Sequence, residues 1–322
     1  MKRAVALLLI PLEACDGRQA MLGADGRDGV LFAGLWQVFL WITVIFYLVV
    51  IAGLAWALLR RREAGGEPLA QTALIVWAGV ISLTLVGLTL ASWLADRHMN
   101  RAAAPPLTVE LTAHQWWWDV RYFGKNPSQT LRTSNELHLP AGVPVRVILK
   151  SSDVIHSFWI PNLSGKQDLI PGRTNDIVIR PQRVGRYRGQ CAEFCGLQHA
   201  HMAFDVTVES PAKFRAWWAR SLLPARPPQT PLEQAGYAYV TTRECSMCHN
   251  ILGTPASGKV APDLTHLASR LSLAAGTYPM ERGHLYAWVA DPQRAKPGNK
   301  MPYIGLEPDE LHAVVAYLES LQ

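Results

Sequence analysis

A twelve-residue segment in the second half of the sequence carries a high density of metal-binding side chains. It holds two thiols, two imidazoles and one thioether, from Cys191, Cys195, His199, His201 and Met202. A further imidazole, His156, lies upstream, after an apolar alternating run at 143–150. Thiolates and methionine favour copper, whereas zinc has little use for methionine. The set resembles a blue-copper site with one additional cysteine. Two thiolates can bridge two copper ions, which leaves one His for each ion and Met202 and a backbone carbonyl as weak ligands.

A second group is the C-x-x-C-H motif formed by Cys245, Cys248 and His249. Two thiols at this spacing can form thioethers to a haem, and the adjacent histidine can ligate its iron. A thioredoxin-like pair is the competing interpretation, but it needs no adjacent His and accompanies a βαβ pattern that this sequence does not show. The motif therefore predicts a covalent haem c. The candidates for the sixth iron ligand are Met280, Met301, His266 and His284.

The N-terminal third contains two long stretches without charge, which predict membrane spans. No charged residue lies between Asp28 and Arg60 or between Glu67 and Asp96, and each stretch exceeds the roughly 20 residues that a spanning helix needs. We expect helices at about 30–59 and 69–95. Three arginines at 60–62 place the connecting loop in the cytoplasm by the positive-inside rule, so both ends of the hairpin face outward. Two buried core helices are the alternative.

The first fifteen residues have the composition of an export signal. Lys2 and Arg3 precede an apolar run at 4–12, and small residues follow it. The end of the run also resembles a bacterial lipoprotein signal, in which Cys15 would carry the lipid, although Glu13 is unusual there. A plain signal peptide with an incidental Cys15 is the alternative. We expect residues 1–15 to be the signal and 16–104 to be the two-helix hairpin.

Residues 105–222 show the alternation of apolar and polar residues that is typical of half-buried strands. Such runs occur at 107–111, 143–149 and 204–208, and turn-forming Gly, Pro and Asn separate them. The pattern predicts a small all-β sandwich or barrel. Four prolines within 223–231 indicate a stiff, extended linker.

Residues 232–322 have the pattern of a mostly helical domain. A predicted helix at 232–240 precedes the C-x-x-C-H motif. A last helix begins at Glu307-Pro308-Asp309-Glu310, where proline and acidic residues favour a helix start. The expected chain is therefore multidomain, with a transmembrane hairpin, an all-β domain and an all-α domain.

A basic net charge can indicate a nucleic-acid partner, but the apolar N-terminal third argues against that interpretation. The charge is also distributed unevenly between the two C-terminal domains. Only 17% of residues are charged, and the net charge is +6. Residues 105–222 contain 14 Lys and Arg against 9 Asp and Glu, whereas residues 231–322 contain 7 against 9.

The motif Cys-x-Glu-x-Cys-x-x-x-His-x-x-Met, with an upstream Asp-Val-x-His-Ser, resembles the dinuclear copper (CuA) site of cytochrome c oxidase subunit II. The resemblance runs from the hairpin to about residue 222 and includes His114–Asp119, Asp168 and Leu169–Arg173. It implies a cupredoxin-like fold. It also implies the following copper ligands: His156, Cys191, the Glu193 carbonyl, Cys195, His199 and Met202.

The resemblance also implies roles for residues near the ligands. The side chain of Glu193 would help to hold a magnesium ion at the contact with subunit I. Electrons would enter the copper site through Trp116; packing of the Trp116–Trp118 run against subunits or lipid headgroups is the alternative. Three consecutive residues of a strand cannot share one face, so we expect at least one of these tryptophans to face away from the core. His201 is expected to be a bystander, and His114 and His138 to make ordinary hydrogen bonds.

The C-terminal domain resembles the small class I cytochromes c, and this resemblance favours Met301 as the second axial ligand beside His249. Met280 is the alternative. A Met/His pair raises the haem potential, which suits an electron donor to copper.

The two resemblances also imply how the charge of the domains is used. Soluble cytochromes c are commonly basic and dock on acidic copper domains. Because residues 105–222 are basic, we predict that this domain favours the slightly acidic fused domain over a basic external donor.

Together the resemblances imply subunit II of a proton-translocating cytochrome c oxidase, whose oxygen chemistry lies in subunit I. Its partners would be subunit I and the other subunits, a donor cytochrome c or bc-type complex, and lipid of the bacterial inner membrane, with the C-terminal domains in the periplasm. One alternative is the CuA subunit of a nitric oxide reductase relative, which the sequence of the catalytic subunit would distinguish. Another is a copper-delivery assembly factor, which would release copper readily.

Overall fold

The computed structural model describes residues 17–59, 67–100, 105–124, 126 and 129–322. The expected signal peptide with Cys15, the arginines at 60–62 and the segment 101–104 lie outside the described residues.

Two long helices form the N-terminal part, α1 at Arg27–Leu59 and α2 at Glu67–Asn100. Both are long and apolar enough to cross a membrane, and neither apolar window is buried inside the structure. This exposure contradicts the alternative of two core helices. Phe46 and Trp77 pack against each other with ring centroids 5.1 Å apart, so the helices touch side by side. The two predicted apolar helices are confirmed, and both are slightly longer than expected.

Ten strands form a β-sandwich: β1 Leu107–His114, β2 Trp117–Phe123, β3 Leu131–Ser134, β4 Glu136–Pro140, β5 Val145–Ser151, β6 His156–Trp159, β7 Gln167–Leu169, β8 Asn175–Ile179, β9 Gly185–Cys191 and β10 Ala203–Glu209. They make two five-stranded sheets, in the orders β3-β2-β1-β5-β8 and β4-β10-β9-β6-β7. Inward residues alternate with outward ones, as in β1, where every second residue from Val109 is buried. The predicted strand at 143–150 begins two residues later, after Pro144.

One helix in this region was not predicted: α3, Pro211–Ser221, follows β10 directly. The Ser210 side chain accepts a hydrogen bond from the Lys213 amide and caps the helix, with proline in its first turn. Phe214 and Trp217 are buried against the sandwich core. The helix therefore closes one end of the sandwich.

The C-terminal domain has its own apolar core, built from helices apart from a two-residue ladder. The predicted helix at 232–240 and the last helix are confirmed, and Glu307 and Glu310 form a reciprocal capping box at the start of the latter. The elements are α4 Pro231–Thr242, α5 Glu244–Cys248, β11 Ser272–Leu273, β12 Tyr278–Pro279, α6 Arg282–Ala290, α7 Pro292–Ala295 and α8 Pro308–Ser320.

The proline-rich segment between α3 and α4 has no helix or strand and contacts the C-terminal domain. The Ala225 amide donates to the Leu252 carbonyl at 2.8 Å, and His266 Nε2 lies 3.2 Å from the Leu223 carbonyl oxygen. The segment is therefore attached to the domain that follows it.

Candidate metal centre and haem-binding loop

The sulfur and imidazole ligands predicted from the sequence lie at one end of the sandwich. Cys191 ends β9, and Met202 immediately precedes β10, so the chain leaves one strand and returns on its antiparallel neighbour. We call residues 191–202 the copper-ligand loop. The Cys191 amide donates to the Met202 carbonyl at 2.9 Å and closes the loop at its base. His156 begins β6, which pairs with β9 on the other side.

The structure brings the six predicted copper ligands together. The Cys191 and Cys195 sulfurs are 3.7 Å apart. Cys191 Sγ lies 3.8 Å from His156 Nδ1 and 3.2 Å from the Glu193 carbonyl oxygen. Cys195 Sγ lies 3.6 Å from His199 Nδ1 and 3.8 Å from Met202 Sδ. Each sulfur thus has one imidazole and one weak donor beside it.

The two thiols are reduced and buried, and their proximity controls their protonation. The hydrogen bond between the two sulfurs lowers the pKa of Cys191. The same bond, together with burial, raises the pKa of Cys195. One thiolate therefore forms readily. The second requires a cation, because two anionic sulfurs this close repel each other.

Polar side chains behind the ligands orient them through hydrogen bonds. Asp153 Oδ1 lies 2.8 Å from His156 Nε2, so the other ring nitrogen, Nδ1, is directed towards Cys191. Burial lowers the pKa of His156, but the hydrogen bonds with Asp153 and Cys191 outweigh it and raise the pKa overall. The Cys195 carbonyl accepts from Gln115 Nε2 at 2.8 Å and from Trp116 Nε1 at 3.0 Å.

The donor set fits a pair of copper ions better than a disulfide or a single zinc. A sulfur separation of 3.7 Å far exceeds a disulfide bond of about 2.05 Å. It is also shorter than twice a metal–thiolate bond of about 2.3 Å, so one ion can touch both sulfurs. The thioether of Met202 selects a soft metal. Two ions sharing the thiolates would each find one imidazole and one weak donor.

The tryptophan run lies beside this site. Trp118 is fully buried in the core, and Trp116 is 9% exposed above the copper-ligand loop. Trp117, on the opposite face of β2, is half-buried and stacks on His114 with centroids 4.3 Å apart. The expectation that one of the three faces away from the core is therefore confirmed.

The other predicted residues near the site lie as follows. The Glu193 side chain is exposed, and among the described residues no cluster of three ligating side chains includes it. His201 Nδ1 is engaged by Gln198 Oε1 at 2.8 Å. His114 Nδ1 lies 2.7 Å from the Ser152 hydroxyl, an ordinary hydrogen bond as expected.

His138 is in a stronger electrostatic environment than the expected ordinary hydrogen bonds. Its ring lies between two carboxylates, 3.4 Å from Glu136 and 3.7 Å from Glu209, and stacks on Trp217. Burial by itself lowers the pKa of His138, but the two carboxylates raise it to about 9. The imidazolium is therefore a structural cation of the sandwich, held by carboxylates of β4 and β10.

The C-x-x-C-H motif lies on the short helix α5 and the residue after it. Cys245 and Cys248 are both reduced and half-buried. His249 Nδ1 lies 2.7 Å from the Pro262 carbonyl oxygen, which fixes the ring and leaves Nε2 for a metal. Burial lowers the pKa of His249, which keeps the imidazole neutral, the form that ligates iron. These features fit a covalent haem.

The candidates for the sixth iron ligand differ in their surroundings. Met301 ends a loop that we call the methionine loop, residues 296–301. Its amide bonds Asn299 Oδ1 at 2.8 Å, and its carbonyl accepts from Gln293 at 2.7 Å. These bonds fix the backbone and leave the thioether free of them. Met280 packs against the domain core. Both ring nitrogens of His266 face backbone carbonyls, and His284 lies beside Glu281 and stacks on Tyr278.

Comparison with known proteins agrees with this arrangement. Residues 107–210 match the family described as cytochrome C oxidase subunit II, periplasmic domain, and residues 233–322 match the family described as cytochrome c. Cytochrome c oxidase subunit 2 of Alkalihalophilus pseudofirmus is 32% identical to this chain. The matched region covers 66% of this chain and 61% of that relative. The Bacillus subtilis protein of the same name is 32% identical over 76% of this chain and 70% of its own length.

Among solved structures, the periplasmic domain of subunit II of cytochrome oxidase (CoxB) of Bradyrhizobium japonicum is 28% identical. The match covers 38% of this chain and 96% of that one, with a TM-score of 0.35. On the strength of the sequence matches, this chain belongs to the cytochrome c oxidase subunit 2 family and carries a cytochrome c domain at its C-terminal end.

Proposed function

We propose that the chain is the subunit through which electrons enter a haem–copper oxidase that reduces oxygen to water. The observation that carries the proposal is the buried cluster of two thiols, two imidazoles, a thioether and a carbonyl, with a C-x-x-C-H domain fused to the same chain. One-electron transfer needs rigid, dry and adjacent cofactor sites.

The residues that would hold each cofactor follow from the site. His156, Cys191, the Glu193 carbonyl, Cys195, His199 and Met202 would hold the copper pair. Cys245 and Cys248 would attach the haem, with His249 and Met301 as its axial ligands. When bound, these groups supply reversible one-electron redox chemistry, on a route from an external donor through haem c and CuA to subunit I.

The protein's own contribution is to position and desolvate the ligands. Asp153 holds His156 in orientation, and Gln115 and Trp116 hold the Cys195 carbonyl. Rigid ligands change little between two oxidation states, which lowers the reorganisation that accompanies each transfer. Trp116 is proposed as the contact through which electrons reach the copper site, and the exposed Glu193 carboxylate as a magnesium ligand completed by subunit I.

The location we propose is the bacterial inner membrane. The two apolar helices anchor the chain beside subunit I, and the sandwich and cytochrome c domain lie in the periplasm. A soluble cytochrome c or a bc-type complex would deliver electrons to the fused domain. The basic sandwich and the slightly acidic fused domain attract each other, so a basic donor is expected to meet the fused domain first.

The test uses the assembled oxidase and its Cys195→Ser variant. The variant should retain a reducible haem c but lose the copper signal and oxygen uptake with a reduced donor. Oxygen uptake equal to that of the unaltered oxidase would contradict the proposal. Deletion of residues 231–322 tests the route: rapid oxidation of a basic cytochrome by the shortened oxidase, at an unchanged rate, would show that the fused domain is not needed.

A further inference from the structure

The methionine loop lies directly on the copper-ligand loop. Gln198 Nε2 donates to the Pro297 carbonyl at 2.8 Å. A Cβ placed on Gly298 would be 3.4 Å from Leu197 Cδ2 and 3.8 Å from the Trp116 ring. The loop that ends in Met301 therefore covers Trp116, and the low exposure of this indole is partly due to the fused domain.

Lys296, the first residue of the methionine loop, is buried between the two domains. Its side chain is long and charged, yet the residue is only 2% exposed. Its ammonium nitrogen lies 2.8 Å from the Trp116 carbonyl oxygen, 2.7 Å from the His201 carbonyl oxygen and 2.9 Å from the Ala274 carbonyl oxygen. Two of these acceptors belong to the sandwich and one to the cytochrome c domain.

The number of acceptors matches the chemistry of the group. A lysine ammonium has three N–H donors, and each finds one carbonyl oxygen. Burial of an unpaired charge is strongly unfavourable, and a full set of acceptors removes most of that penalty. Burial lowers the pKa of Lys296 to about 7, and attraction to Cys195 opposes that shift. Hydrogen bonds to the three carbonyl oxygens favour the charged form.

The three acceptors are placed where they affect both cofactor sites. His201 lies between the ligands His199 and Met202 in the copper-ligand loop. The indole of Trp116 donates to the carbonyl of Cys195. At the other end, Lys296 is five residues before Met301 in a loop whose backbone is fixed by Asn299. The ammonium therefore joins the loop that holds copper to the loop that holds the haem ligand.

From this geometry we infer that Lys296 is a positioning residue, which fixes the methionine loop against the copper-ligand loop and so sets the distance over which electrons cross between the two domains. The inference rests on the proposed function, because its effect on electron transfer requires both cofactors. The effect on the interface does not depend on the proposed function. Removal of the ammonium should open the interface whether or not the two domains transfer electrons.

The neighbouring contacts indicate what would be lost with it. The Ala203 amide donates to the Ala275 carbonyl at 2.9 Å, and Arg188 donates to the Gly276 carbonyl at 3.2 Å. Both acceptors lie in the same turn as Ala274, between β11 and β12. Release of that turn and of the methionine loop would therefore expose the Ala203 amide to solvent.

The test compares Lys296→Met with Lys259→Met in the full chain carrying both cofactors. Lys259 is an exposed lysine of the same domain, so its variant makes the same charge change at the surface. One readout is hydrogen exchange of peptides that contain Ala203 and the 272–279 turn. The other is the rate at which the copper pair gains one electron while the reduced haem iron loses one, after rapid mixing or photoreduction.

Lys296→Met should raise exchange at the interface by about tenfold or more, the factor expected when a hydrogen bond to a charged group is lost. It should slow electron transfer by a similar or larger factor, while the haem potential and the copper spectrum stay unchanged. Lys259→Met should match the unaltered chain in both readouts. If Lys296→Met does not retain both spectra, Lys296→Gln replaces it. Glutamine keeps two N–H donors, so the changes in hydrogen exchange and in electron-transfer rate should be smaller and in the same direction.

The inference would be overturned if the hydrogen-exchange and electron-transfer rates of Lys296→Met equal those of Lys259→Met. The same criterion applies to Lys296→Gln where that variant replaces Lys296→Met. Failure of the proposed function has a different signature. In that case the unaltered chain would lack the copper or haem spectrum, or would show no transfer between them, while the exchange comparison could still be made.

Discussion

The crossing of α4 and α8 at Gly236 gives a prediction whose magnitude follows from the structure. A Cβ placed on Gly236 would lie 1.9 Å from the Ala313 carbonyl oxygen, 2.6 Å from the Ala313 carbonyl carbon and 2.8 Å from Tyr317 Cβ. Two of these atoms are backbone and the third is fixed to it, so no side-chain rotation relieves the contact. Gly236→Ala must therefore push the two helices apart.

The cost of this displacement can be set against the gain in helix propensity. Overpacking a well-packed core costs about 1–3 kcal/mol, and a backbone clash at this distance belongs at the upper end. Alanine is about 1 kcal/mol better than glycine inside a helix. We expect a net loss of about 2 kcal/mol, which corresponds to about 10 °C in the melting temperature of a domain of this size.

The matched control is Gly283→Ala in α6, because a Cβ there meets nothing within 4 Å. This variant should be neutral or up to about 1 kcal/mol more stable. The assay is thermal unfolding of the haem-loaded chain, followed at the haem absorbance so that the fused domain alone is observed. If Gly236→Ala unfolds at the same temperature as Gly283→Ala, α4 and α8 do not cross as closely as described. The packing that positions α5, the helix of the C-x-x-C-H motif that follows α4, would then also be wrong.

Three further predictions concern the two sites and the sandwich. Met301→Leu should keep the haem attached but lose the sulfur-to-iron absorption band and lower the potential, whereas Met280→Leu should change neither; the opposite pattern would reverse the assignment. Asp153→Asn should weaken copper binding about 10- to 100-fold in competition titrations, with exposed Asp176→Asn as the unaffected control. The raised pKa of His138 contributes stability that is fully present below about pH 6.5 and is lost as the pH rises through about 9; it amounts to at most about 3 kcal/mol. His138→Gln should abolish that fall in the pH dependence of unfolding, and an unchanged fall would refute the assignment.

Much of both sites was predictable because their ligands are close in sequence. Five donors of the copper site lie within one twelve-residue loop, and the haem attachment lies within five residues. Side-chain type then limits the metal, and the pattern is independent of how the rest of the chain folds. The same holds for the helices α1 and α2, because the length of their uncharged stretches alone exceeds what a membrane span requires.

The interface between the sandwich and the cytochrome c domain, and the helix α3, could not be predicted from the sequence for a physical reason. Nothing in the neighbourhood of Lys296 marks it as buried, since its three acceptors are carbonyls at positions 116, 201 and 274 that only folding brings together. The helix α3 has two buried aromatics, Phe214 and Trp217, and one half-buried aromatic, Trp218, in eleven residues, a weak period that the preceding strand pattern obscures. The two carboxylates around His138 come from β4 and from the end of β10, which are not adjacent in sequence.

The most direct test of the central claim is a pair of spectra from the expressed soluble part, residues 105–322, loaded with copper and haem. The account predicts a c-type Soret band together with the electron paramagnetic resonance signal of two coppers sharing one unpaired electron. A single blue-copper signal, from one ion with one thiolate, would contradict the dinuclear site formed by Cys191 and Cys195.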